Sequence, residues 1–273
     1  MTAELRPIER ACPNCGANAP RDLGLGRTPW TIGECGACGF AYLTAAASYA
    51  DLSDFYSWDK AIVLEAKRRK TAQPAVQWLD QKTRWRLHLF PRPETRTFLQ
   101  ALLPGGKVVD IGCGSGKQGL ALPDLYTPFG VEISRSLAEE ADAAFAVRGG
   151  SCRHAPSSEG LGQFDAYMFD GAMLNSYLEH ETEPLAVLRA LRRVLKPEGV
   201  AVVKVPNFAS WNAALMKQNW CGIRLPDHVN YFTPSLLAAM SEAAGFTVDF
   251  PRLTNLPTND NFWAFLRPAP VQA

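Results

Sequence analysis

Four of the seven cysteines in this chain of 273 residues fall in two CxxC pairs, Cys12 with Cys15 and Cys35 with Cys38. A glycine follows each pair, where the backbone must curl tightly. Each turn directs two thiolates to one point, and two turns together supply the four sulfur ligands of a tetrahedral zinc ion. Because protein ligands fill all four positions, the spacing predicts a structural zinc site with no position for water or substrate.

A glycine-rich turn is the second motif, in the segment VVDIGCGSG at residues 108–116. Alternate glycines let the backbone approach a ligand, and the helix that follows offers free N–H groups. The GxGxxG pattern of dinucleotide sites also fits residues 114–119, with Glu132 as a ribose ligand. In that arrangement the carboxylate of Asp110 would face a pyrophosphate, which is an unfavourable pairing of two negative charges. A P-loop is excluded, because isoleucine replaces its first glycine and glutamine its Ser/Thr.

Histidine is the side chain best suited to take up a proton at neutral pH, and the chain has four, at positions 88, 154, 180 and 228. His180 follows the expected fourth strand, and His228 lies between the expected fifth strand and the next helix. Open α/β sheets bind their ligands at the carboxyl edge, where both positions fall. We therefore expect His180 and His228 as candidate bases, with Tyr231 orienting an acceptor; the alternative is that all three are structural.

The elements that must position these residues follow from the hydrophobic pattern. From residue 107 onward, short apolar runs alternate with helical patterns, which predicts a doubly wound, seven-stranded and mostly parallel α/β sheet with an antiparallel strand in the last hairpin. The expected strands are Lys107 to Ile111, Tyr126 to Glu132, one around Cys152, Phe164 to Phe169, Gly199 to Val205, Phe246 to Phe250 and Phe262 to Leu266. The expected helices of this part include Arg135 to Val147 with Ser134 as its cap, Glu183 to Leu195, and Pro234 to Ala244. Ahead of it, helices are expected over Lys60 to Thr71, from Pro74 toward His88, and over Glu94 to Leu103.

The composition divides the chain into three parts: a zinc-binding ribbon at 1–48, a helical connector or lid at 49–103 and the α/β domain at 104–273. With 47% hydrophobic and 20% charged residues, the chain can bury a core and is not intrinsically disordered. A net charge of +1 gives no global case for nucleic acid or an acidic membrane. No signal peptide or apolar run of membrane-spanning length is apparent, so we expect a soluble cytoplasmic protein.

The segment VVDIGCGSG, the later FGVEIS, and LEHETEPLAVLRALRRVLKPEGVAVVKVPN together resemble the class I S-adenosylmethionine-dependent methyltransferases, over about Pro104 to Pro268. The resemblance implies a Rossmann-like methyltransferase domain with S-adenosylmethionine as cofactor. By this likeness Asp110 lies near the cofactor's amino-acid moiety, the glycines admit the cofactor, and Glu132 accepts hydrogen bonds from both ribose hydroxyls. The cofactor-binding set expected from it is Asp110, Gly112, Cys113, Gly114, Gly116, Glu132 and Asp170.

The cysteine pairs ahead of such a domain, with CGACGFAYLTAAASYADLSDFYS and LPDHVNYFTPSLLAAMSEAAGF, resemble the bacterial branch that methylates sugars, lipids and secondary metabolites. That likeness implies O- or C-methylation of a small molecule, with the histidines near the acceptor. The chain departs from the branch at 155–158, where Ala-Pro-Ser-Ser replaces the usual Leu-Pro and acid. It is also longer than usual between Phe164 and His180.

A local positive field favours a different acceptor. Between Lys60 and Arg96 the chain has an excess charge of +7, with Trp78 and Trp85 interleaved. A zinc ribbon, a basic helix and a methyltransferase domain also resemble certain bacterial rRNA guanine methyltransferases, which makes RNA the alternative partner. Protein acceptors and a non-catalytic S-adenosylmethionine-binding module are further alternatives, and the oligomeric state stays open.

Overall fold

The N-terminal residues form a small antiparallel β-structure, which we call the ribbon (residues 7–47). The computed structural model describes residues 7–47, 94–251 and 254–270. The strands of the ribbon are β1 (Ile8–Glu9), β2 (Pro20–Arg27), β3 (Trp30–Cys35), β4 (Ala41–Leu43) and β5 (Ala45–Ala46). Strands β2, β3 and β4 form one sheet, and β1 pairs with β5.

The other described residues form strands and helices in alternation. The helices are α1 (Thr95–Leu102), α2 (Lys117–Leu120), α3 (Arg135–Ala146), α4 (Ser157–Gly162), α5 (Pro184–Val194), α6 (Trp211–Met216) and α7 (Pro234–Ala243), with a 3-10 turn at Lys217–Asn219. The strands are β6 (Gly106–Ile111), β7 (Tyr126–Glu132), β8 (Cys152–His154), β9 (Phe169–Asn175), β10 (Leu195–Pro206), β11 (Asn230–Tyr231), β12 (Phe246–Asp249) and β13 (Asn261–Pro268).

Seven of these strands form one sheet in the order β12-β13-β10-β9-β6-β7-β8. β13 runs antiparallel to both of its neighbours, and the remaining pairs are parallel. This arrangement confirms the predicted doubly wound fold. From β6 the chain builds outward to β7 and β8 on one side, and then to β9 and β10 on the other. The crevice at the carboxyl ends of β6 and β9 is therefore the topological switch point, where such sheets bind ligands.

The ribbon is joined to the rest of the described chain by one strand pairing and one buried core. β11 pairs antiparallel with β4, which gives a four-stranded sheet in the order β11-β4-β3-β2. Phe40 and Tyr42 are fully buried in the same cluster as Val109 and Leu174 of the large sheet. The Phe40 ring meets Phe232 edge-on at 5.2 Å. The ribbon is thus fixed against the segment that carries His228.

The fourth strand of the large sheet lies later in the chain than the sequence indicated. It was expected at Phe164 to Phe169, whereas β9 spans Phe169–Asn175. Phe164 is buried because its ring packs edge-on against Phe129 and Phe169, at 5.9 and 5.1 Å. The strand itself is built from Gly, Ala, Met and Leu, residues of modest strand propensity, and burial on both faces overrides that propensity. The shift moves Asp170 from the end of a strand to its beginning.

Helix α3 begins where the sequence indicated, but the expected serine does not cap its N-terminus. The Ser134 side chain accepts no capping hydrogen bond. Its backbone N–H donates instead to Glu132 Oε1 at 2.8 Å. The expectation of a serine cap was therefore wrong, because the carboxylate two residues earlier reaches the same helix start.

The described part of the connector is helical at its end, where α1 matches the helix expected after Pro93. The other helices expected there, over Lys60 to Thr71 and from Pro74, lie outside the described residues. Within the described residues, no helix is both long enough and apolar enough to cross a bilayer.

Candidate functional site

The glycine-rich turn joins the end of β6 to the start of α2, at the switch point. Gly112, Gly114 and Gly116 have φ values of +68°, +55° and +82°, which favour glycine. A Cβ on Gly112 would lie 2.4 Å from the Tyr177 ring, and one on Gly116 would lie 2.7 Å from the Phe145 ring. A Cβ on Gly114 would meet no described atom within 4 Å. Of the three glycines, Gly114 therefore borders open space.

Two buried carboxylates flank this turn. Asp110 lies in β6 and Glu132 ends β7, and both are buried. Burial and then the charge of Glu132 raise the pKa of Asp110 to about 7. Glu132 accepts the N–H groups of Gly114 and Ser134, both at 2.8 Å. A carboxylate has about four lone-pair sites, so Glu132 can still accept hydrogen bonds from a ligand's hydroxyls.

The environment of Asp110 predicts that this buried carboxyl lowers the stability of the ligand-free protein at neutral pH. In the unfolded chain this carboxyl has a pKa near 4, so its raised pKa in the fold costs stability as pH rises from about 4 to about 7. Asp110→Asn should therefore raise the free energy of unfolding of the ligand-free protein at pH 8, by up to about 4 kcal/mol, with a smaller gain at pH 5. Urea unfolding at the two pH values measures this.

Asp124→Asn is the control for this comparison, since the Asp124 side chain is fully exposed. It should change the free energy of unfolding by less than about 0.5 kcal/mol at either pH. Equal destabilisation by Asp110→Asn at pH 5 and pH 8 would contradict the argument.

The side chains of two residues in the expected cofactor-binding set make contacts within the protein. The Cys113 side chain is buried, and its Sγ lies 3.5 Å from Cys152 Sγ. Asp170 accepts the Lys107 N–H at 2.8 Å and the Lys196 ammonium at 2.6 Å. Because Asp170 begins β9, it stands at the amino edge of the sheet, opposite the switch point. The position of Asp170 corrects the expectation for that residue, because its carboxylate connects β9 to β6 and β10 at the opposite edge. Cys113 stays in the glycine turn, with its side chain packed in the core.

Tyr177 was missed by the sequence analysis and lies directly over the turn. It follows the carboxyl end of β9, and its ring covers Gly112. Its hydroxyl donates to Glu181 Oε2, and its carbonyl accepts the His180 N–H at 2.9 Å. Tyr177 therefore connects the glycine turn to the turn that carries His180. Had the end of the fourth strand been predicted at Asn175, the sequence would have indicated Tyr177 as a residue at the carboxyl edge of the sheet.

The structure brings His180 and His228 into contact. Their rings meet at 88° with centroids 4.6 Å apart. Nδ1 of His180 lies 3.0 Å from the carbonyl oxygen of Asp227 and 3.5 Å from its Oδ1. Nδ1 of His228 lies 2.8 Å from the carbonyl oxygen of Gly222. A carbonyl oxygen only accepts, so Nδ1 carries the hydrogen in each ring, and Nε2 is the basic nitrogen of the neutral form.

The two rings have opposite electrostatic environments. Burial, followed by the charges of His180 and Arg224, lowers the pKa of His228 well below its usual value. Burial also disfavours charge on His180, but the carboxylates of Asp227 and Glu179 outweigh it and raise the pKa of His180. The surroundings therefore favour the neutral form of His228 and stabilise the imidazolium form of His180.

Buried polar atoms of the pair and of residues near it in the chain have no hydrogen-bond partner within the described part of the protein. They are Glu179 Oε2, Arg224 Nε, His228 Nε2 and the Tyr231 hydroxyl. Buried polar atoms are normally paired, so such a group marks a place for a polar ligand or water. One nitrogen or oxygen from each of Glu179, His180 and His228 lies within 4.8 Å of the other two, a donor set that a divalent cation could also use.

Strand β11 sends its two side chains to different places. The Tyr231 ring packs against Phe208 at 5.4 Å, and burial followed by the charge of Asp227 raises the pKa of its hydroxyl. Tyr231 therefore stays protonated and can donate a hydrogen bond, but it is no base. Asn230, which the sequence analysis missed, donates from Nδ2 to the carbonyls of Leu178 at 2.8 Å and Glu181 at 2.5 Å.

The four ribbon cysteines converge on one point. Their sulfur atoms lie within 4.8 Å of one another, with Cys12 and Cys38 at 3.6 Å and Cys15 and Cys35 at 3.5 Å. Zinc–sulfur bonds of about 2.3 Å place the sulfurs of a tetrahedral site about 3.8 Å apart. The two turns have the same geometry: the glycine after each pair donates its N–H to the carbonyl of the first cysteine at 2.8 Å. This arrangement fits a four-cysteine zinc site.

A doubly wound sheet with a glycine turn and two carboxylates at its switch point defines a Rossmann-like, nucleotide-cofactor class of enzyme. A family model described as a methyltransferase domain matches residues 83–249, more than half of the chain. The chain therefore belongs to the class I S-adenosylmethionine-dependent methyltransferases. This confirms the family predicted from the glycine turn.

Two relatives show how far the similarity extends. The ubiquinone biosynthesis O-methyltransferase of Paraburkholderia phymatum is 28% identical over 171 residues, which cover 59% of this chain and 74% of the relative. The protein of the same name from Thiobacillus denitrificans is 26% identical over 204 residues, which cover 71% of this chain and 87% of the relative.

Two solved structures share the fold. The 1,6-didemethyltoxoflavin-N1-methyltransferase of Burkholderia thailandensis, solved with 1,6-didemethyltoxoflavin and S-adenosylhomocysteine, has a TM-score of 0.51 and 18% identity, and the match covers 92% of this chain and 99% of that one. An S-adenosylmethionine-dependent methyltransferase of Thermotoga maritima has a TM-score of 0.50 and 21% identity, with 70% and 96% covered. At these identities the likeness concerns the fold alone.

Proposed function

We propose that this enzyme transfers the methyl group of S-adenosylmethionine to a hydroxyl oxygen or an acidic carbon of a small molecule, bound at the histidine pair. The observation that carries the proposal is the group of unpartnered buried polar atoms, among them His228 Nε2 and the Tyr231 hydroxyl. His228 Nε2 could take a proton from an acceptor, and the Tyr231 hydroxyl could donate a hydrogen bond to a lone pair of that acceptor. The relatives named above are O-methyltransferases, which agrees with an acceptor of this kind.

For the cofactor, we propose that Asp110, Gly112, Gly114, Gly116 and Glu132 hold it at the switch point. Open space beside Gly114 admits it, Glu132 accepts hydrogen bonds from its ribose, and Asp110 faces its amino-acid end. When bound, this cofactor supplies an electrophilic methyl group on a sulfonium. Binding next to a cationic amino group would favour ionised Asp110, against the burial that raises its pKa.

For the acceptor, His228 is the proposed base and His180 its partner. The Gly222 carbonyl fixes the tautomer of His228 so that Nε2 has the free lone pair. His180, which favours its charged form through Asp227, faces that ring and can stabilise negative charge developing on the acceptor. The Tyr231 hydroxyl is proposed to orient the acceptor as a hydrogen-bond donor. Methyl transfer from a sulfonium needs alignment and a base, so we assign Glu179 and the two histidines no metal.

For the ribbon, we propose that Cys12, Cys15, Cys35 and Cys38 bind one zinc ion with a folding role. All four sulfurs are used within the cluster, so the ion would have no open position for chemistry.

The direct test is transfer of a labelled methyl group. The purified enzyme is incubated with methyl-labelled S-adenosylmethionine and a set of catechols, phenols and nucleotide-linked sugars, and in parallel with ribosomal RNA fragments. We expect label in a small-molecule product whose mass rises by one methyl group. Label in RNA, with binding that weakens steeply between two salt concentrations, would replace this proposal with the RNA alternative. Most of the basic residues behind that alternative lie outside the described residues.

A further inference from the structure

We propose that Arg10 of the ribbon is a positioning residue for methyl transfer: it joins the two chain segments that carry His180 and His228 and holds their rings in register. The inference rests on the proposed function of the histidine pair and goes beyond it, because Arg10 lies far from both histidines in sequence and bonds to the segments that carry them. Arg10 stands two residues before the first zinc-site cysteine.

The Arg10 guanidinium spans three separate parts of the chain. Its Nη2 donates to the carbonyl of Thr182 at 2.7 Å and to Asn230 Oδ1 at 3.3 Å. Its Nη1 donates to the carbonyl of Val229 at 3.2 Å and lies 3.5 Å from that of Leu43. The guanidinium is a rigid fork of five donors, which suits several carbonyls at fixed angles.

The segments that Arg10 joins are the ones on which the histidines depend. Thr182 lies two residues after His180, and Val229 directly follows His228. Between them, the Val229 N–H donates to the Glu179 carbonyl at 2.7 Å. The Asn230 amide bonds to the same junction: its Nδ2 donates to the carbonyls of Leu178 and Glu181, and its Oδ1 accepts from Arg10.

The ribbon holds Arg10 firmly enough for this role. Its backbone N–H donates to the Thr44 carbonyl at 2.8 Å, and its guanidinium lies 6.0 Å from the centroid of the buried Tyr42 ring. The next strand pair, β4 with β11, extends the same junction through backbone hydrogen bonds. The ribbon thus reaches the acceptor edge directly through Arg10, whereas the glycine turn is connected to that edge one step further on, through Tyr177. Loss of Arg10 should therefore impair methyl transfer and leave cofactor binding intact.

The test compares Arg10→Met with Arg10→Lys and with Arg21→Met as the matched control. Arg21 belongs to the same ribbon, but its side chain is 73% exposed and pairs with Glu34 on the surface. We expect Arg10→Met to lower kcat per folded molecule about 10- to 100-fold, because small displacements of reacting groups have effects of that size. Its Kd for S-adenosylhomocysteine should stay within about twofold of wild type, and one zinc per chain should be retained. Arg10→Lys, which restores one or two of the donors, should recover part of kcat, and Arg21→Met should change nothing.

A normal kcat in Arg10→Met would overturn the inference, provided that a His228 variant has lost activity. If the His228 variant is also fully active, the proposed base has failed instead, so the two failures are distinguishable. If Arg10→Met does not fold or loses zinc, Arg10→Gln decides the matter, because its shorter amide cannot span the carbonyls of Thr182 and Val229. Wild-type kcat in that variant overturns the inference, and reduced kcat with unchanged S-adenosylhomocysteine affinity supports it.

Discussion

Replacing His228 by asparagine is expected to lower kcat by about 10²- to 10⁴-fold, the usual effect of removing a general base. Asparagine can still donate from its amide to the Gly222 carbonyl, where Nδ1 of His228 donates now. It has no group in place of Nε2, which is the atom proposed to take the proton. The measurement is kcat at saturating S-adenosylmethionine, with the Kd for S-adenosylhomocysteine and the melting temperature as controls. Both controls should stay near wild type.

The dependence of kcat on pH separates the two histidines. The pKa of His228 is lowered by burial and by the charge of His180. As the pH is lowered, a rate that requires neutral His228 should therefore stay constant until well below pH 6.5. The pKa of His180 is raised, so a rate that requires neutral His180 should begin to fall at a pH above 6.5 as the pH is lowered.

A His228→Asn variant that melts far below wild type yet keeps its full kcat per folded molecule would show that the residue is structural.

Loss of the ribbon metal is expected to have the second large effect. Structural zinc couples directly to folding, and Cys35→Ser removes one of four ligands from a site whose neighbours Phe40 and Tyr42 belong to the main core. We expect wild type to contain one zinc per chain and Cys35→Ser to contain far less. The variant's melting temperature should fall on the order of 10 °C.

The control for that experiment is Cys221→Ser, a cysteine outside the four-sulfur cluster. It should retain one zinc per chain and a melting temperature within a few degrees of wild type. Well under one zinc per chain in wild type purified without chelator would overturn the metal assignment. An unchanged melting temperature in zinc-free Cys35→Ser would remove its folding role.

The sequence predicted the positions of the glycine turn and its two carboxylates in the fold because their signals are local. Strand β6, the three glycines and Glu132 lie within one βαβ unit, so spacing alone places them together. The fourth strand was misplaced because Phe164 has a strand former's side chain but a loop position, and one wrong boundary carried Asp170 to the wrong edge. The same error hid Tyr177, which covers Gly112.

The acceptor edge was predicted less completely because its geometry depends on contacts between distant segments. His180 and His228 could be found by residue type and position. Their tautomers, however, are fixed by hydrogen bonds to backbone carbonyls, which every residue has and which a sequence pattern therefore cannot predict. Arg10 and Asn230 act on such carbonyls as well. Their roles follow only from the pairing of β11 with β4, which no hydrophobic pattern of a two-residue strand could indicate.

The measurement that tests the central claim most directly is titration calorimetry of S-adenosylmethionine, S-adenosylhomocysteine and NAD against wild type, Gly114→Val and Gly149→Val. Gly114 and Gly149 both have positive φ, and a Cβ on either meets no described atom within 4 Å, so the two valines introduce similar strain. We predict a micromolar Kd for the sulfonium and its demethylated product, roughly −8 kcal/mol, and no binding of NAD. Gly114→Val should abolish this binding by filling the cofactor's space, while Gly149→Val retains it. Binding of NAD alone, or equal losses in both valine variants, would contradict the assignment of the cofactor site.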